Sequence, residues 1–93
     1  MAAPETMDHD RRDPTTLAFQ ALAWTLDDPA RAQRFLSLTG LDAEDLRLRV
    51  AERSTQAAVL SFLAAHEPDL ISCAAALNVN PAALIAAHHE LES

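Results

Sequence analysis

The stretch Asp28-Pro29-Ala30-Arg31-Ala32-Gln33-Arg34-Phe35-Leu36-Ser37-Leu38-Thr39-Gly40-Leu41-Asp42-Ala43-Glu44-Asp45-Leu46 decides how the chain reads. It contains a helix start, a helix stop and a second start. Asp28 places an acceptor side chain directly before Pro29, and Asp at N-cap with Pro at N1 opens a helix. Gly40 falls where that helix ends, in the place that favours a left-handed residue. Asp42 then caps a helix from Ala43, with Asp45 at the N3 position of a capping box.

The same punctuation runs outward in both directions. Asp13-Pro14, Glu67-Pro68 and Asn80-Pro81 repeat the acceptor-proline pair, with Glu67 the poorest cap of the set. Ser54 caps a further helix from Thr55, and Asn78 takes the part of Gly40. The spacing predicts six helices, over 14–26, 29–39, 43–52, 55–66, 68–77 and 81–91. Leu41 and Val79 are expected to fold back as the apolar contact of a Schellman motif.

Apolar periodicity agrees. Phe19, Leu22, Ala23 and Leu26 fall at i, i+3, i+4, i+7, as do Leu70, Cys73, Ala74 and Leu77, and Leu84, Ala87, His88 and Leu91. The first helix carries Leu17, Ala21 and Trp24 on a second face, and the fourth is apolar almost all round. Helices apolar on every side are central, so the first and fourth are expected at the middle.

Composition points to the same class. The 93 residues include 20 Ala and 14 Leu, both strong helix formers, against five Val and Ile together and no Tyr. The reading is one all-α domain, a compact bundle of five to six short helices over 13–93, behind a disordered N-terminal tail over 1–12. The two halves match at an offset of about 38 residues, Gly40-Leu41-Asp42 aligning with Asn78-Val79-Asn80, so the bundle is a candidate three-helix pseudo-repeat.

Charge narrows the function. The net charge is -7, and all seven basic residues are Arg. None lies beyond Arg53, so the second half carries four carboxylates and no cation, which repels nucleic-acid phosphates and anionic lipid. A lone Cys73 forms no internal disulfide and suits a reducing compartment. No apolar run approaches the roughly 20 residues of a membrane span, and no signal peptide is visible. A cytoplasmic location is expected.

Phe35-Leu36-Ser37-Leu38-Thr39-Gly40-Leu41-Asp42 with Asp45-Leu46-Arg47, Val59-Leu60-Ser61-Phe62-Leu63, and Ala74-Ala75-Ala76-Leu77-Asn78-Val79-Asn80-Pro81 resemble a family of short bacterial helical proteins, a domain of unknown function. The likeness spans residues 14–91. It implies a compact helical domain, and the family has no assigned activity, cofactor or catalytic residues to carry over.

The residues themselves offer few sites. His88, His89 and Glu92 have the i, i+3 and i, i+4 spacing of metal ligands on one helix face, but no second His or Cys cluster completes a site. The last two helices have helix-turn-helix spacing, yet the second offers no Arg or Lys to a DNA groove. Arg31, Arg34, Arg47, Arg49 and Arg53 would serve a DNA-binding regulator only if they converged; Glu44–Arg47 and Asp45–Arg49 are spaced as intrahelical ion pairs instead. Trp24, Arg31, Arg34 and Arg47 are the candidate partner-binding residues. The excess of apolar helix face in so short a chain leads to the expectation of a non-enzymatic interaction or regulatory module. It would act on a protein partner or as a homodimer, without cofactor, membrane or nucleic acid.

Overall fold

Acceptor residues and prolines set where the helices begin. The computed structural model describes residues 12–93 and contains six helices: α1 (Pro14–Leu26), α2 (Pro29–Thr39), α3 (Ala43–Arg49), α4 (Arg53–Ala64), α5 (Glu67–Leu77) and α6 (Pro81–Glu92). No strand occurs among the described residues. The carboxylates of Asp13, Asp28 and Asp42 each accept from the backbone N–H three residues on. Asp42 and Asp45 complete the expected capping box.

Three of the expected caps differ. Glu52, not Ser54, is the N-cap of α4, and His66, not Glu67, is the N-cap of α5; neither makes a side-chain cap bond. Asn80 occupies the N-cap of α6 but leaves its side chain out of the cap. Pro68 and Pro81 supply the pre-set φ that starts these helices without a side-chain acceptor.

Gly40 (φ 75°) and Asn78 (φ 61°) are both left-handed, as expected. Asn78 closes a Schellman motif, with Val79 N–H donating to Ala74 C=O at 2.9 Å and Asn78 N–H to Ala75 C=O at 3.2 Å. Gly40 makes the simpler single bond, to Leu36 C=O at 2.9 Å. Leu41 N–H turns instead toward Thr39 Oγ1 at 3.4 Å, because the Thr39 hydroxyl lies back on the α2 carbonyls and presents its oxygen there.

The core lies among α1, α4 and α6. α1 and α4 each pack on four other helices, as expected, and α6 joins them through Leu84, Ala87 and Leu91. Ala18, Ala21, Ala74 and Ala87 are almost wholly buried, so small side chains bring these axes close. α2 attaches by Phe35, whose ring meets Phe62 of α4 edge to face at 5.4 Å. The buried Gln56 ties three elements: it accepts from Thr15 at 3.0 Å and donates to Val50 C=O at 3.3 Å. α3, seven residues long, buries only Leu46.

The burial of α1 corrects the sequence reading. Its core face is Leu17, Ala18, Ala21, Leu22 and Thr25, while Phe19 and Leu26 of the expected stripe are each 41% exposed. Thr25 is tolerated inside because its hydroxyl donates to the Ala21 carbonyl at 2.8 Å.

The two halves share a plan. Each runs helix, two-residue link, eleven-residue helix, three-residue link through a left-handed residue, helix. They differ in the third helix, which has seven residues in α3 and twelve in α6. The tail expected over 1–12 lies outside the described residues except for Arg12. That residue belongs to the folded unit, donating to Gln20 Oε1 at 2.8 Å and to Leu77 C=O at 2.9 Å.

Both left-handed positions are open to test by chemical denaturation. Gly40→Ala meets no steric neighbour, so its cost is the backbone strain alone, about 1 kcal/mol. Asn78→Ala is expected to lose a similar amount, and Asn78→Gly none.

Candidate functional site

The face of α1 that the core rejects borders an apolar groove. Leu22 and Leu26 of α1, Leu36 of α2, and Ala43, Leu46 and Val50 on and beside α3 line an open groove of about 380 Å³. It continues along α1 past Ala23 to Phe19. Arg47 is the one titratable side chain in the groove lining. On the other side of α3, a second groove of about 490 Å³ runs between α2 and α4, with Leu38, Leu41, Phe62 and Arg49 in its wall. Leu38 and Leu48 flank this region at 74% and 73% exposure. Isolated exposed leucines need no explanation; a contiguous apolar surface is what makes this groove the candidate site.

The predicted partner-binding residues do not converge there. Trp24 packs half-buried against the core, with the Arg31 guanidinium stacked over its ring at 3.5 Å from the centroid. Arg31 also donates to the Trp24 carbonyl in the last turn of α1. Arg34 pairs with Asp69, which the His66 Nδ1 approaches at 3.0 Å, and lies 5.3 Å from the Phe62 ring centre. Of the four residues, only Arg47 lines the groove.

Nor do the five arginines form a single basic face. Arg53 reaches across to the end of α6, donating to Leu91 C=O at 3.0 Å and Glu90 C=O at 2.9 Å. With Arg12 on Leu77 and Arg31 on Trp24, three arginines serve C-terminal carbonyls of α5, α1 and α6. None of these helices has an Arg or Lys in its own last turn, so the cation that favours a helix C-terminus comes from elsewhere in the chain. The expected Glu44–Arg47 and Asp45–Arg49 pairs do not form; the arginine–carboxylate pair among the described residues is Arg34–Asp69, and His66 and His88 lie beside Asp69 and Glu92. Asp45 is drawn back to the Asp42 N–H by the capping box.

α5 and α6 cross at 103°, within the range of a helix-turn-helix. The exposed residues of α6 include Ala82, Ala86, His89 and Glu90, and none is an Arg or Lys. His88 Nε2 stands 3.2 Å from a Glu92 oxygen, off the line a hydrogen bond needs, and His89 is exposed. No three His, Cys, Asp or Glu side chains among the described residues gather as metal ligands. No single helix among them is long and apolar enough to cross a membrane.

Cys73 is fully buried on α5. Burial pushes its thiol up to about 11, partly offset by the Arg31 charge and reinforced by Asp69.

This architecture is an all-α domain with an open apolar groove beside a short third helix. The chain belongs to the family described as a protein of unknown function, DUF3572, whose sequence profile matches residues 11–93. No curated protein and no solved structure matches it.

Two outcomes follow from these positions. The raised Cys73 pKa means that the unfolded chain releases its thiol proton first as pH rises. Stability therefore falls from about pH 9 to about pH 11, and Cys73→Ala flattens that limb in pH-dependent unfolding. Arg53→Gln should lose about 1 kcal/mol and raise amide exchange in the last turn of α6, detectable by hydrogen-exchange mass spectrometry.

Proposed function

We propose that this chain is a non-enzymatic protein-interaction module that works through the α1/α2/α3 groove. The observation that carries the reading is the exposed stripe Phe19, Ala23 and Leu26 beside Leu36, Leu46 and Val50. A helix face with regular apolar spacing that faces water costs solubility. Burying it against a partner recovers about 25 cal/mol per Å². The groove offers aliphatic walls and a single cation, a surface suited to shape-matched apolar docking rather than to proton or group transfer. Regulation would follow by occupancy of the groove. A reducing location such as the cytoplasm keeps Cys73 a thiol.

The second reading, a DNA-binding regulator, draws on the 103° crossing of α5 and α6. It lacks cations on the helix that would enter the groove of the duplex, and Arg31, Arg34 and Arg53 already have partners within the fold.

The test is affinity capture from native lysate with the wild-type chain and with Phe19→Asp/Leu26→Asp, each with and without nuclease. Both positions are 41% exposed, and circular dichroism and thermal melting of the double variant check that it is folded before capture. A stoichiometric protein retained by wild type, resistant to nuclease and lost with the variant is the expected result. Retention by both chains, or loss on nuclease treatment, would overturn the reading.

A further inference from the structure

Four of the six described arginines are engaged within the fold: Arg12, Arg31 and Arg53 on helix carbonyls, and Arg34 on Asp69. The other two, Arg47 and Arg49, are exposed on α3, outside every ion pair found among the described residues. The Asp45 carboxylate, spaced to meet Arg49, is held on the Asp42 N–H, and Glu44, exposed beside it, makes no ion pair with Arg47. The two free cations flank the exposed Leu48, and each belongs to the wall of a different groove, Arg47 to the apolar one on the α1 side and Arg49 to the mixed one, with Thr39, Ser54, Thr55 and Ser61, on the α4 side. On a chain of net charge -7, Arg47 and Arg49 are the described arginines that the fold itself does not engage, and they stand beside apolar surface even though Asp42, Glu44 and Glu52 lie in or next to α3.

We infer that the α3 edge docks an amphipathic helix of another protein, whose apolar side chains enter the groove over Leu26 and Leu46 and whose flanking carboxylates meet Arg47 and Arg49. This rests on the interaction reading above and gives the partner its chemistry. An amphipathic helix presents apolar side chains at i, i+3, i+4 and i+7, which is how such segments seat in grooves. Rim charges then fix its register and speed its encounter. A nucleic acid would satisfy two guanidiniums and leave the apolar walls wet; strongly salt-dependent DNA binding takes about 6–10 phosphate contacts. A second copy would offer this edge the same mixed charges that it carries itself, Asp42, Glu44 and Glu52 beside Arg47 and Arg49, and so is left to the test below.

Two synthetic helical peptides of about 18 residues test this, identical in their leucine face and flanked by Glu in one and Lys in the other. Their binding is measured by fluorescence anisotropy at low salt to the whole chain, to Arg47→Glu/Arg49→Glu and to Phe19→Asp/Leu26→Asp. The Glu-flanked peptide is expected to bind wild type about tenfold more tightly than the Lys-flanked one. The arginine reversal should invert that order, and the groove variant should lose both. Equal affinities, an order unchanged by the reversal, or no binding of either peptide would overturn the inference. So would a DNA duplex released by the arginine reversal, or a dimer seen by light scattering and dissolved by Phe19→Asp/Leu26→Asp. None of these results depends on the lysate capture, which alone decides the broader reading.

Discussion

Six helices of 7 to 13 residues have twelve ends, and each end leaves up to four backbone groups outside the helical ladder. In a chain this short, closing those ends governs the rest of the structure. Aspartates close three N-termini, left-handed residues close the C-termini of α2 and α5, and arginines outside each helix reach the last carbonyls of α1, α5 and α6. Much of the acidity follows from this demand. Asp13, Asp28, Asp42, Glu44, Asp45, Glu67 and Asp69 all sit at or within the first turn of a helix, where the macrodipole favours negative charge. The net charge is thus as much a record of helix starts as of anything the protein meets.

The class and helix order were legible because local signals dictate them. Asp-Pro pairs, the capping box and the two left-handed positions each act within five residues, so the sequence carries their physics whole. Ser54 and Glu67 misled for a local reason too: the helices begin one or two residues earlier, where Glu52 and His66 have the extended backbone of an N-cap without a capping side chain.

Which face of α1 is buried was not legible. Leu17-Ala18-Ala21-Leu22 and Phe19-Leu22-Ala23-Leu26 both have helical period and share Leu22. Periodicity marks both as apolar and so predicts a helix buried on every side. Packing buries only the first, because Ala18 and Ala21 let α4 and α6 approach where a phenylalanine would hold them off. The groove is the stripe that lost, so the error about the core and the failure to foresee the site have one origin. The arginines were illegible for another reason. The bonds of Arg53 and Arg12 span 38 and 65 residues, and no spacing rule operates over such distances. Sequence spacing offered Arg47 and Arg49 nearby carboxylates, and the capping box took one of them away.

The placement of α6 bears on how the chain reaches its fold. α6 follows every other helix, yet it packs on α1, α4 and α5 and buries Leu84, Ala87 and Leu91 at the centre. During synthesis the earlier helices leave the ribosome before the element that completes their core. Until then the inward faces of α1 and α4 remain uncovered, and the nascent chain exposes considerably more apolar surface than the finished one. Completion of the core therefore waits on α6, whose twelve residues supply Leu84, Ala87 and Leu91.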